Sequence, residues 1–185
     1  MPILTLDLLK EKLTVWKGCD LSTTANAVLG EGNPRASVMI IGEAPGEKEN
    51  ELRRPFVGAA GKYLNELLES IQLKREDVYI SNVVKYCPPD TRDPKPIEKE
   101  QCMPWLMLEI ALVKPKVIVT LGRHSLGHFF SGITISEAHG NAFPITAAVT
   151  LFSVYHPAAA LHNGSLRSAL QSDFYKLGDF LKTVQ

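Results

Sequence analysis

The chain has 185 residues, of which 45% are apolar and 22% charged, with 20 basic and 20 acidic side chains and a formal charge of zero. That length suits one compact domain over residues 1–185 with a full core, and the composition is that of a globular protein. Zero net charge argues against the broad basic field of a non-specific duplex binder, while leaving room for a local basic rim around a pocket.

The N-terminus, MPILTLDLLKEKL, has no basic stretch followed by an apolar one and a small-residue cleavage site, so no signal peptide is expected there. A helix is predicted instead over about Leu6 to Val15. Four continuous apolar runs then read as buried parallel strands: Val38 to Ile41, Val78 to Ile80, Val117 to Leu121 and Leu151 to Tyr155. Between the first and second of these, Leu64, Leu67, Leu68 and Ile71 form a helical face after Gly61. Trp105, Leu108, Ile110 and Leu112 mark another helix, closed by Lys114 and Pro115, and Gly122 to Phe130 is a short third. The last helix carries Leu166, Ala169, Leu170, Phe174, Leu177 and Leu181 on one stripe, with Ser165 as its expected cap. No apolar run reaches the roughly 20 residues needed to span a bilayer, so a soluble cytoplasmic chain is expected. The alternation predicts an α/β fold: a three-layer α/β/α sandwich around a central, mainly parallel four-stranded sheet.

In such a sheet ligands sit beyond the carboxyl ends of the strands, and the informative residues follow the strands. After the first comes Gly42-Glu43-Ala44-Pro45-Gly46-Glu47, small residues that let backbone pass close to a flat ligand while Glu43 is delivered at the strand end. Arg54-Pro55-Phe56-Val57-Gly58 follows. Its Phe56 is either core or a stacking platform for a base, an interaction of roughly 1–3 kcal/mol. Asn82 ends the second strand, where an Asn is commonly a turn former. His156-Pro157-Ala158-Ala159-Ala160-Leu161 follows the fourth. A single His is commonly a structural hydrogen-bonder, but this one falls at the same sheet edge as Glu43 and Asn82.

The strings GEGN at 30–33, GEAPGEKE at 42–49, RPFVGAAG at 54–61, DVYISNVVK at 77–85 and HPAAAL at 156–161 together resemble the uracil-DNA glycosylase superfamily, and within it the family-four iron–sulfur branch. The resemblance runs from about Trp16 to the final helix. It implies hydrolysis of the N-glycosidic bond of uracil in DNA, with the nucleotide flipped out of the stack. Glu43 and His156 are then the expected catalytic residues. Glu43 would position water or stabilise an oxocarbenium-like sugar, and His156 would bond uracil O2 as negative charge develops there. Phe56 would stack on the base and Asn82 would read its edge, lined by Ala44 and Gly46, with Glu47 guarding C5 against thymine. Pro157, Ala158 and Leu161 would wedge into the gap in the duplex, and Arg92 and Arg167 would contact DNA. Arg53, Arg54 and Arg123 are further phosphate candidates. The implied partner is uracil-containing DNA, bound by a monomer. Other readings are shifted specificity, such as hypoxanthine, a catalytically weak lesion binder, and a hydrolase of free nucleotides.

The chain departs from that branch at its cluster cysteines. The first pair reads Trp16-Lys17-Gly18-Cys19, and Tyr86 stands where a cysteine should follow Lys85, so only Cys19 and Cys102 are in register and Cys87 is one place out. Such clusters use four thiolates, so no iron–sulfur cluster is expected, and Trp16 and Tyr86 are expected to fill the volume by aromatic packing. The segment from Cys87 to Cys102 contains no His, which favours turnover over covalent trapping of uracil. His124, His128, His139 and His162 are not read as a metal site, because no carboxylate accompanies them in a recognised pattern. Glu98, Lys99 and Glu100 are expected at an exposed helix start.

Overall fold

The computed structural model describes residues 4–184, the side chain of His162 excepted. Met1 to Ile3 of the N-terminal reading, and His162 among the candidate metal ligands, thus lie outside the described residues. One six-stranded sheet organises the rest, in the order β1-β3-β2-β4-β6-β5. Its four middle strands are β3 (Tyr79–Asn82), β2 (Val38–Gly42), β4 (Val117–Leu121) and β6 (Thr150–Val154), all mutually parallel. Every residue of β2, β3 and β4 is buried, which is why these runs are continuously apolar.

Two further strands lie beyond the expected four. β1 (Glu31–Gly32) and β5 (Asn141–Pro144) add antiparallel edges. Both are short and largely exposed, and β5 contains Pro144, so neither carries an apolar signature. The expected four-stranded sheet is therefore the core of a mixed six-stranded one.

Helices cover both faces. On one side α3 (Ala59–Ser70), α7 (Pro157–His162) and α8 (Gly164–Thr183) pack on Val38, Ile40, Val119 and Val154. On the other, α1 (Leu6–Val15) and α4 (Pro96–Val113) pack on Met39, Ile41 and Ile118. Three short helices, α2 (Glu47–Leu52), α6 (Ile135–Ala138) and α7, add to those expected, while α5 (Gly122–Phe129) follows β4 as the sequence predicts. Among the described residues no helix is long and apolar enough to cross a membrane.

Two helix readings are corrected. α8 is capped by Asn163, whose side-chain oxygen accepts from the Ser165 N–H, and not by Ser165 itself. α4 buries Glu98, Cys102, Leu106, Glu109 and Val113, whereas Leu108 is exposed. Two carboxylates on the inward face hide it from a search for apolar periodicity.

Candidate active site

The strand ends arrive at one edge because the registers align Gly42 with Asn82, Ile41 with Thr120, and Leu121 with Val154. Beyond β2 and β3 the chain is cross-tied: Val83 N–H donates to Gly42 O at 3.0 Å and Val84 N–H to Glu43 O at 2.9 Å. A Cβ at residue 42 would stand 2.5 Å from both Asn82 Oδ1 and Phe56 Cζ. Glycine at this place is what lets those two side chains converge.

Phe56 is buried and has φ of +50°, a left-handed conformation that costs an aromatic residue free energy and persists only when its surroundings enforce it. They do so from two sides. The Arg75 guanidinium donates to the carbonyls of Pro55 (2.6 Å) and Phe56 (3.0 Å). The Glu49 carboxylate accepts from the N–H groups of Val57 (2.8 Å) and Gly58 (2.7 Å). Gly61 completes the loop, since a Cβ there would lie 1.9 Å from Phe56 O. The Phe56 ring is thereby held 5.9 Å from that of His156.

His156 caps α7, its Nδ1 accepting from the Ala158 N–H at 3.1 Å. A backbone N–H can only donate, so Nδ1 is unprotonated and the proton of the neutral ring resides on Nε2. Burial, with a contribution from His124, pushes the His156 pKa down to about 4. The ring is therefore a neutral donor across the physiological range.

Ala44, Gly46, Glu49, Phe56, Ala60, Asn82, His156 and Ala158 line a cavity of about 190 Å³, enough for one nucleobase. Inside it Asn82 Oδ1 is buried without a hydrogen-bond partner among the described residues, a cost that an incoming N–H would remove. A cleft of about 400 Å³ adjoins it, lined by Glu43, Asp93, His124, Tyr155 and His156 among others. A smaller one lies between the Glu43 to Gly46 loop and Pro88 to Pro94. A further hollow, about 510 Å³, lies by the start of β3 near Gly30 and Tyr79, away from these residues.

Glu43 faces the clefts half-buried. Burial, and then Asp93, push its pKa up to about 7, with Lys99 and Arg123 opposing the rise. Its oxygen lies with those of Asp93 and the His124 ring within 4.8 Å of one another, close enough for a metal ion. Yet Arg123 bonds Asp93 at 2.9 Å, and Lys99 Nζ stands 3.0 Å from His124 Nδ1. Two cations already occupy the ground a divalent ion would need, so the trio does not fit one. His139, another of the histidines, is bonded to Asp173 on α8 at 2.9 Å.

Several expected site residues fall elsewhere. Glu47 is exposed at the start of α2 and lines none of these cavities, and Glu49, two residues on, takes the pocket position. Arg92 does line the smaller cleft, where it makes a two-pronged bond to Glu98 (2.9 and 2.6 Å); Glu98 is buried and not at an exposed helix start, and Lys99 beside it reaches His124. Arg53 bonds Asn26, and Arg54 pairs with Glu31. Arg167 is exposed over the Tyr63 ring. Residues 157–161 lie in the helix α7, with Pro157 and Ala160 buried and Leu161 exposed. Leu161 alone of that stretch offers a large apolar group to a partner.

Beneath Asn82 lies an ion pair between Lys85, within the string at 77–85, and Glu109, which lies in none of the quoted strings. Lys85 Nζ bonds the carboxylate of Glu109, the Ser81 hydroxyl at 2.8 Å and the Asn82 carbonyl at 2.6 Å. Glu109 also accepts from the Tyr79 hydroxyl (3.0 Å), the Ser81 hydroxyl (2.8 Å) and the Gly30 N–H (2.7 Å). Both charged side chains are fully buried.

Where the cluster cysteines are expected, Trp16 and Tyr86 stack with ring centroids 6.2 Å apart, and Trp105 meets Trp16 edge-on at 5.4 Å. The Tyr86 hydroxyl donates to the carbonyls of Leu13 and Trp16. Cys19 and Cys102 are buried in the same cluster, and burial pushes the Cys102 thiol up to about 12. Burial and the carboxylates of Glu47 and Glu49 raise the Cys87 thiol, which sits toward α2. An indole, a phenol and two high-pKa thiols do not make a four-thiolate donor set.

Residues 29–177 match the family model of the uracil DNA glycosylase superfamily. Among curated relatives, the chain is 43% identical to a type-4 uracil-DNA glycosylase of Sulfurisphaera tokodaii, covering 97% of this chain and 86% of that one. It is also 43% identical to one of Archaeoglobus fulgidus, covering 94% and 91%, and 37% identical to one of Thermotoga maritima, covering 96% and 95%.

Proposed function

The chain belongs to the uracil DNA glycosylase superfamily, and from that premise we propose that its pocket releases uracil from DNA by hydrolysing the N-glycosidic bond, without lyase activity. The observation that carries this is the unpartnered Asn82 oxygen between Phe56 and His156. Uracil offers an N3–H to Asn82 Oδ1 and an O4 to its amide N–H, whereas cytosine presents the opposite pattern, so one Asn separates the two bases. Phe56 supplies a stacking face to a base that must leave the helix to reach it. His156 donates from Nε2 to O2, where charge collects as the base departs as an anion, and a neutral donor does this without first losing a proton. Glu43 in its ionised form orients water or stabilises the cationic sugar. Leu161 is the side chain available to enter the emptied stack, and Arg167 is an exposed cation in the first turns of α8 for a backbone phosphate.

The test is incubation with single- and double-stranded oligonucleotides bearing uracil, hypoxanthine or thymine, followed by alkaline cleavage of abasic sites. Release confined to uracil supports the reading, and binding without release of any base defeats it.

The raised Glu43 pKa gives a signature with a definite sign. The active carboxylate forms only as pH rises through about 7, so single-turnover rates should climb across pH 6 to 8. Stability should run the other way. A carboxyl whose folded pKa exceeds its unfolded value stabilises the fold below about 4.5 and loses that contribution as pH rises to about 7. Glu43→Gln, which cannot ionise, should therefore gain stability over the wild type progressively between those limits, by about 1–3 kcal/mol above pH 7. Thermal melts at pH 4.5 and 8 measure it, and an equal difference at both pH values refutes it.

We further propose that the protein works without an iron–sulfur cluster, the Trp16, Tyr86 and Trp105 rings serving as the packing element in its place. Protein purified without air should contain no stoichiometric iron and show no broad visible absorption band.

A further inference from the structure

A neutral imidazole has one lone pair and one N–H. At His124 two cationic donors contend for that lone pair, with Lys99 Nζ at 3.0 Å from Nδ1 and Arg123 Nε at 2.9 Å from Nε2. Only one of them can be satisfied. Nε2 also faces two carboxylates, Asp93 Oδ2 at 3.1 Å and Glu43 Oε1 at 3.4 Å. With the proton on Nε2, Nδ1 accepts from Lys99 and the single Nε2–H can go to one of those oxygens; Asp93 Oδ2 is the nearer but already accepts from Arg123, whereas Glu43 Oε1 has no other donor among the described residues. Arg123 is the partner able to turn away, because its side chain is 68% exposed and keeps its bond to Asp93. Lys99, by contrast, is half-buried on α4. Meanwhile Glu43 Oε1 is buried and accepts no hydrogen bond from the described residues, a costly condition for a carboxylate.

We propose that His124, its tautomer set by Lys99, is a positioning residue that donates from Nε2 to Glu43 Oε1 and holds that carboxylate in place beside the nucleobase pocket. This rests on Glu43 serving as the ionised carboxylate of a glycosylase site. The charged and titratable groups around Glu43 are Asp93 from the loop before α4, Lys99 from α4, Arg123 and His124 from α5, and His156 at the start of α7. His124 itself is kept uncharged at neutral pH, its pKa lowered by burial first and then by Lys99. It thus acts on Glu43 as a hydrogen-bond donor and not as a counter-charge.

Single-turnover uracil release from a saturating oligonucleotide, followed from pH 5 to 9, tests this. His124→Ala should lower the plateau about tenfold, the worth of a hydrogen bond to a charged group, with DNA affinity unchanged within about twofold. Its acid limb should move to higher pH by about 1 unit, because the ionised carboxylate has lost a donor. His124→Gln, whose amide N–H reaches the place of Nε2, should recover most of the plateau. Lys99→Met should lower the plateau as well as displace the limb, whereas loss of its charge beside Glu43 alone would displace the limb and leave the plateau unchanged. A wild-type plateau and acid limb in His124→Ala overturn the proposal, and should that variant fold poorly, the Gln and Lys99→Met pair decides. Failure of the wild type to release uracil would sink the glycosylase reading and this role with it. A slow Glu43→Gln beside an unaffected His124→Ala would sink this role alone.

Discussion

His156→Ala should slow single-turnover release of uracil by about 10²–10³-fold, the loss typical when a donor to a developing anion is removed. The expectation follows from three linked facts: Nδ1 is committed to the Ala158 N–H, the ring's proton is therefore on Nε2, and the ring stays neutral down to about pH 4. Alanine also removes the cap of α7, which costs about 1 kcal/mol of stability. His156→Asn separates the two effects. An Asn oxygen caps a helix well but its side chain places no donor at the position of Nε2. The Asn variant should therefore melt close to the wild type and remain as slow as the Ala variant. Recovery of rate along with stability in His156→Asn would show that the residue matters for its cap and not for its chemistry. Neither variant should move the acid limb near pH 7, since that limb belongs to Glu43.

Lys85→Met should destabilise the fold by about 3–5 kcal/mol, well beyond the loss of a helix cap, because it strands the Glu109 carboxylate in a fully buried site. For a chain of this length that corresponds to a fall in Tm on the order of 10 °C. Tyr79, Ser81 and Gly30 would still donate to Glu109, but their dipoles do not neutralise it. Adding Glu109→Gln to Lys85→Met removes the stranded charge and should restore a substantial part of the loss, so the double variant should be more stable than Lys85→Met alone. Chemical denaturation of the four proteins of this cycle measures the coupling, and additive losses would show that the two side chains act independently. The consequence reaches the pocket, because Lys85 Nζ also holds the Asn82 carbonyl at 2.6 Å. Asn82 thus stands on a buried salt bridge.

Sequence alone determined those features that depend on local pattern. Continuous apolar runs located the four parallel strands, since a strand buried on both faces must be apolar throughout. The order of strands and helices gave the layered α/β class, and the rule that ligands gather beyond parallel strand ends brought Glu43, Asn82 and His156 to one edge. Phe56 was found because its string returns to a glycine-rich loop. Trp16 and Tyr86 were legible as departures from the resembled strings, and the structure stacks their two rings. What escaped was decided by contacts between distant residues. Glu49 and Arg75, which hold Phe56 in its left-handed turn, look in sequence like ordinary surface charges on a helix and a turn. Arg92 reads in sequence as a free cation, and its two-pronged pairing with the buried Glu98 six residues on shows only in the fold. Glu109 sits on the inward face of α4, where a search for apolar spacing passes over a carboxylate neutralised by a lysine 24 residues earlier. His124 carries no motif, and only packing sets Lys99 on one side of its ring and Glu43 on the other. Apolar periodicity is written along the chain because burial acts on each residue separately. Hydrogen-bond and charge pairing belong to two residues at once, and which two is fixed only when the chain has folded.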